Sequence, residues 1–127
     1  MLINDPETVA QLAAIYPQYE AALTTNDIPT MQRLFWDSPH VVRFGVTENL
    51  HGIDEIEAFR AARSPANLAR QITRLDITTF GKDFGCVHLE FERRKDDQVV
   101  RGRQSQTWVR LPEGWRIVAA HVSFLAG

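Results

Sequence analysis

The chain has 127 residues, 44% apolar and 24% charged, enough for one domain with a sizeable core and too short for two. A formal net charge of -2, a pI near 6.1 and no basic run longer than Arg93-Arg94-Lys95 argue against a nucleic-acid partner. Met1 to Glu7 carries no basic stretch followed by a long apolar one, and no later apolar run approaches the roughly 20 residues that cross a bilayer. The expectation is therefore a cytoplasmic protein with no membrane contact.

Asp5, Pro6 and Glu7 open the first helix: a capping oxygen, a proline where no donor is missed, and an acid at the positive end of the dipole. Val9, Leu12, Tyr16, Tyr19 and Leu23 then follow at three- and four-residue steps, so one face of this helix is buried. Pro17 removes the bond to the Ala13 carbonyl and predicts a kink or a break. Asp27, with Pro29 in the first turn, begins a short second helix that carries Met31, Leu34 and Phe35. Val41 to Phe44 is a short β-type run. Gly52 opens a third helix with Ile53, Ile56 and Phe59 on one side, and Ser64-Pro65 closes it.

Around residue 68 the spacing changes to alternation. Four strands are expected, approximately Arg70 to Phe80, Phe84 to Arg93, Gln98 to Leu111 and Gly114 to Phe124. Their connections, Gly81-Lys82-Asp83, Arg94-Lys95-Asp96-Asp97 and Pro112-Glu113, are short enough to force antiparallel pairing. Val87, Leu89 and Phe91 share one face while His88, Glu90 and Glu92 share the other, as in a half-buried sheet. Helices first and strands after give an α+β domain over residues 1–127. Three helices are available to cover the apolar face, and a curved sheet wrapped on them leaves a cavity at its open end.

Several chemistries drop out. Cys86 is the only cysteine, so neither an internal disulfide nor a thiolate cage can form, and on a strand it reads as inert filling. His40, His51, His88 and His121 have no metal-ligand spacing, and no Gly-x-Ser-x-Gly elbow or phosphate loop occurs. No metal or cofactor is expected. Arg60 and Arg63 read as the solvated edge of the third helix, with a substrate funnel as the alternative.

Arg43 stands inside an apolar run, where a guanidinium needs a carboxylate partner, and its planar fork suits a ligand carboxylate held bidentately. The competing readings are an exposed Arg on an edge strand and a structural pair with Glu48 or Asp37. Tyr19 lies on the buried stripe, where its hydroxyl needs a polar partner. Its functional reading is a donor to a ligand carbonyl, or a proton shuttle if Arg43 makes it more acidic; the plainer one is a core tyrosine bonded to the backbone. His121 shares parity with Trp115, Ile117, Ala119 and Ser123. With an even-length Pro112-Glu113 turn, Gln104 and Gln106 of the partner strand fall on the same face, an amide and imidazole lining for a small polar ligand; a bulge would change that parity.

Leu34-Phe35-Trp36-Asp37, Val42-Arg43-Phe44-Gly45, Asn49-Leu50-His51-Gly52, Phe59-Arg60-Ala61-Ala62-Arg63, Gly102 to Trp108 and the terminal hairpin with Trp115, His121 and Ser123 resemble, in order and over nearly the whole chain, the AtzH-like family. This group includes the oxalurate catabolism protein HpxZ, within the nuclear-transport-factor-2-like, SnoaL-like superfamily. The resemblance implies a cone-shaped α+β fold, a homodimer, and a role in ureide, oxalurate or cyanuric acid breakdown by hydrolysis of a carboxylated urea. It also implies an active-site pair of a first-helix Tyr and a first-strand Arg, which fall on Tyr19 and Arg43. Pro17, two residues before Tyr19, is the departure from the pattern. Two alternatives stand beside the hydrolase: a non-catalytic anion-binding partner of an amidase, and an isomerase or dehydratase of the same cone, with Asp37 or Glu48 as base.

Overall fold

The computed structural model describes residues 1–126. Helix α1 spans Pro6–Thr24, α2 Ile28–Leu34 and α3 Ile53–Ala62. The strands are β1 Val42–Phe44, β2 Asn49–His51, β3 Gln71–Phe80, β4 Phe84–Lys95, β5 Gln98–Leu111 and β6 Gly114–Phe124. They form one six-stranded sheet in the order β2-β1-β6-β5-β4-β3, antiparallel except where β1 runs parallel to β6. The α+β expectation holds, as do the four long strands and their inward face.

Both expected helix caps are present. Asp5 accepts from the Thr8 amide at 3.2 Å and its hydroxyl at 2.8 Å, and Asp27 does the same for Thr30 at 3.2 and 2.7 Å; each satisfies a donor that the first turn leaves open. The kink at Pro17 is not found as a break: α1 runs unbroken through it. Pro17 and Ala13 both lie on the exposed side, so the carbonyl that the proline cannot serve is on the solvent side of the helix. The stripe Leu12, Tyr16, Tyr19, Ala22 and Leu23 is therefore undisturbed on the buried side.

The core lies between helices and sheet. Leu12, Met31, Leu34, Phe35 and Ile56 of the helical layer meet Val87, Leu89, Phe91, Trp108 and Ile117 of the strands. Gly102 sits directly across from Phe91, whose ring occupies the space a Cβ would need. The turn after β4 is shorter than the sequence suggests: the strand continues through Arg94 and Lys95, and only Asp96 and Asp97, both at positive φ, make the corner. Two successive left-handed residues match the twist of a tight hairpin.

Two features have no counterpart in the sequence reading. The β-type run at Val42 pairs with Asn49–His51 as a small hairpin, in register Arg43 to Leu50, and its outer edge docks on β6, Arg43 opposite Ala120. In β6 the pairing with β5 slips by one residue: Trp108 faces Ile117, but Thr107 faces Ala119, leaving Val118 as a bulge. Because side chains alternate along a strand, one extra residue exchanges the faces of everything beyond it. Trp115 and Ile117 point to the core, and so do Ala120, Val122 and Phe124; His121 and Ser123 do not.

Candidate functional site

The open end of the cone holds a pocket of about 130 Å³. Tyr19 and Leu23 of α1 form one wall, and Gln104, Val122 and Phe124 of the sheet another. Arg43, Val46 and Glu48 stand at the β1–β2 hairpin, Phe59, Arg63 and Leu68 around the end of α3, with Arg70, just before β3, and Arg93 of β4 closing it. Four guanidinium groups and one carboxylate therefore line this pocket in a chain whose net charge is -2. Charge so concentrated within low-dielectric walls focuses the field on an anion.

Arg43 is 7% exposed. Its register position on β1 aims it inward between Ala120 and Leu50, and one nitrogen donates to Glu48 Oε1 at 3.0 Å. Its guanidinium also lies 5.6 Å from the Phe59 ring centroid. The structural pair with Glu48 thus exists, and it exists inside the pocket. Glu48 is further held by the Thr47 amide at 3.1 Å and hydroxyl at 2.7 Å. Burial pushes its carboxyl up, but these donors and Arg43 outweigh that and hold it below the usual range. Asp37 is exposed and lies outside the pocket.

Tyr19 is 1% exposed and its ring packs on Phe35. Burial alone would make the phenol less acidic. Arg43, Arg60 and Arg70, with the Gln104 side chain, more than offset this and bring it below the ordinary tyrosine value. Tyr16, one turn earlier, goes the other way: burial and then the Glu20 carboxylate raise it far above the usual value, and its hydroxyl donates to Glu20 Oε1 at 2.7 Å.

Arg70 forms the best-made contact of the site. Its Nε and one terminal nitrogen take the two Glu20 oxygens at 2.8 and 2.7 Å, and the same terminal nitrogen donates to Gln104 Oε1 at 2.8 Å. Its side chain is only 2% exposed. Arg63 and Arg93 are looser, each with a buried Nε that has no partner. Behind them Arg60, 2% exposed rather than on a solvated edge, donates to Gln32 at 3.1 Å and stacks 4.3 Å over the Phe35 ring. Burial, foremost, lowers its pKa to about 10.

Tyr19, Arg43 and Gln104 are thus brought together. The other three residues expected with them are not. Gln106 faces the core, but its oxygen accepts from Trp108 Nε1 at 2.9 Å and it does not line the pocket. His121 and Ser123 are turned to the opposite face by the bulge at Val118. There His121 packs edge-on against Phe44, and Ser123 accepts from Arg103 Nε at 3.1 Å.

The AtzH-like family model matches residues 1–127. The chain belongs to the AtzH-like family. Among solved structures, this AtzH-like chain is similar to a protein of unknown function of the DUF3225 family from Pectobacterium atrosepticum, at 46% identity, TM-score 0.92, covering 98% of this chain and 95% of that one. It is equally similar to a cystatin-like fold protein from Burkholderia xenovorans, at 46% identity, TM-score 0.91, covering 100% and 98%. A nuclear-transport-factor-2-like superfamily protein from Salmonella enterica shares the fold at 21% identity, TM-score 0.78, covering 95% and 93%. No curated protein matches the chain.

Among the described residues, no group of three or more His, Cys, Asp or Glu is placed to hold a metal ion, and no helix is long and apolar enough to cross a membrane. What sequence reading missed in this AtzH-like pocket is Arg70 and Arg93, two of its four arginines. Arg93 carried a signal, since it continues the inward parity of Val87, Leu89 and Phe91. Arg70 carried none, because its partner Glu20 is 50 positions away.

Proposed function

We propose that this AtzH-like chain is a cofactor-independent hydrolase of a small N-carboxylated urea, of the dicarboxyurea kind. The observation that carries the reading is the buried tyrosine set among guanidinium groups in a small pocket. Arg43 clamps a substrate carboxylate, and the unpaired donors of Arg63 and Arg93 favour a second anionic group. A pocket of about 130 Å³ falls below the roughly 300–1,000 Å³ of sites for drug-sized ligands, which fits a substrate of few atoms.

Tyr19 serves as the proton donor. On an N-carboxylated urea the C–N bond breaks, carbon dioxide departs and is hydrated in solution, which makes the net reaction a hydrolysis; the electron pair stays on nitrogen, which takes the phenolic proton, and solvent returns a proton to the phenolate. A tyrosine made more acidic by neighbouring cations is a better donor for this step. Loss of carbon dioxide also asks for no strong base, and the pocket offers none: Glu48 is tied to Arg43 and Thr47, and Glu20 to Arg70. The same pairing weighs against an isomerase, which needs a free carboxylate to abstract a proton. It also sustains one alternative, an anion-binding partner of an amidase that turns nothing over.

Release of carbon dioxide from a panel of N-carboxylated ureas tests the reading, with oxalurate, which carries no N-carboxyl group, as the comparison. Turnover by the isolated protein, lost in Tyr19→Phe, is the expected result. A protein inert on the whole panel that copurifies with an amidase and binds the same compounds would replace the hydrolase with the binding module.

A further inference from the structure

The four guanidiniums of the pocket are arranged as two pairs, each resting on an aromatic ring from a different wall. The centroid of the Phe59 ring, on α3, lies 5.6 Å from the Arg43 guanidinium and 5.8 Å from that of Arg63. The centroid of Phe91, on β4, lies 4.7 Å from Arg70 and 6.0 Å from Arg93, which the Phe124 ring also meets at 5.7 Å. Simple spacing builds both platforms: Phe59 and Arg63 are one helical turn apart, and Phe91 and Arg93 stand two residues apart on one face of a strand. A ring face orients a guanidinium and covers its stem, while the N–H edges stay free for an acceptor.

Within each pair one member is answered by the protein and the other is not. Glu48 takes Arg43 at 3.0 Å, and Glu20 takes Arg70 at 2.7 Å. Arg63 and Arg93 have no carboxylate partner among the described residues, and the Nε of each is buried without a hydrogen bond. One terminal nitrogen of Arg63 reaches Met31 Sδ at 4.0 Å, a weak acceptor. Two positive charges therefore stand uncompensated in a half-buried site, where an unmet charge and an unmade hydrogen bond are both costly. Both guanidiniums are held below the usual arginine range, by burial first and then by the neighbour on the same ring, Arg43 for Arg63 and Arg70 for Arg93. An anion between the members of each pair offsets that repulsion. Rings and charges thus define two anion half-sites, and a volume of about 130 Å³ leaves room for only a short spacer between them.

We propose that Arg93 is a specificity-determining residue: with Arg70 on the Phe91 platform it holds a second carboxylate, so the pocket selects a short dicarboxylate over a monocarboxylate held only at Arg43 and Arg63. This deepens the hydrolase reading, and rests on it for the reaction but not for the binding. In that reading Arg43 holds one carboxylate of a dicarboxylated urea and Arg93 the other. A ligand with a neutral amide at the second end leaves the Arg93 charge unanswered.

Malonate and malonamate differ only in one carboxylate exchanged for an amide, and neither carries an N-carboxyl group, so binding is read without turnover. In isothermal titration at a pH where both malonate carboxyls are ionised, the parent is expected to bind malonate about 10- to 100-fold more tightly than malonamate, the scale of one bidentate carboxylate contact. Arg93→Met removes the charge and the fork and keeps an apolar stem, and the ratio should fall to within about threefold of unity. Arg94→Met removes the same charge from the next, exposed position of β4 and should keep the parent's ratio.

A parent ratio near one would overturn the inference. So would an Arg94→Met protein whose ratio falls as far as that of Arg93→Met, because the preference would then be one of overall charge. If far-ultraviolet circular dichroism shows that Arg93→Met does not fold, Arg93→Lys carries the test. It keeps the charge but not the fork, so the ratio should still drop, and an undiminished ratio overturns the inference. Malonate preference through Arg93 in a protein that leaves the N-carboxylated ureas intact would retain the two half-sites and lose the hydrolase. Turnover of those ureas with a parent ratio near one would do the reverse.

Discussion

Replacing Arg43 with lysine separates charge from geometry at the mouth of the pocket. The guanidinium is 7% exposed and spends one nitrogen on Glu48 at 3.0 Å, leaving its remaining donors for a ligand carboxylate. Lysine supplies the charge but not the planar pair of donors, so one charge-assisted hydrogen bond to the ligand is lost, about 1.5–3 kcal/mol net. That corresponds to a Kd weaker by roughly 10- to 150-fold. Isothermal titration with oxalurate or a dicarboxylated urea reads it directly. Tyr19→Phe is the companion: its ring stays against Phe35, 6.0 Å between centroids, so affinity should persist while kcat falls by about 100-fold or more. An Arg43→Lys protein that binds as tightly as the parent would remove Arg43 from ligand recognition altogether. Unchanged turnover in Tyr19→Phe would do the same for the catalytic hydroxyl.

Gly102→Ala puts a Cβ where the Phe91 ring lies, 2.3 Å from its nearest atom, and should lower unfolding free energy by about 1–3 kcal/mol in a urea titration. Pro17→Ala restores the helix bond to Ala13 on the exposed side of α1 and should raise the melting temperature without altering ligand affinity. The folded-state pKa of Glu48 lies below its unfolded value, so its contribution to stability is present above the unfolded pKa and lost as pH falls through the folded one; Glu48→Gln should flatten that acid limb in melts followed from pH ~6 to ~3. The sheet face bearing Val42, Phe44, His121 and Ser105 carries no covering layer among the described residues. We propose it as the homodimer contact: sedimentation at micromolar concentration should give a dimer and Phe44→Glu a monomer, and a monomeric parent would sink the idea.

The helices and long strands were legible because their signals are local. Asp5 and Asp27 satisfy amides three residues on, and Val87, Leu89 and Phe91 need only the two-residue period of a strand. The arginine cluster was largely illegible, because what buries Arg70 or Arg60 is a partner on another element. For Arg60 a helical position next to Arg63 gave the opposite impression. The assignment of His121 and Ser123 to the pocket failed for a different reason. Their parity with Trp115 and Ile117 is correct as arithmetic, but Val118 steps out of the ladder between them, and no residue type marks the place: Val118 is as good a strand former as its neighbours.

That bulge has a consequence for how such a pocket can diversify. Beyond Val118 two complete sets of side chains stand back to back on one strand, Ala120, Val122 and Phe124 on one side and Ala119, His121 and Ser123 on the other. Deleting Val118 would make the ladder regular and leave both sets where they stand, since Ile117 already pairs with Trp108 and Ala119 with Thr107. Drawing Val118 into the ladder opposite Thr107 would instead turn the whole terminal segment over and exchange an apolar wall for an imidazole and a hydroxyl. A one-residue slip of β6 along β5 could therefore give this pocket a different reactive lining, with no substitution in any residue that ends up facing the ligand.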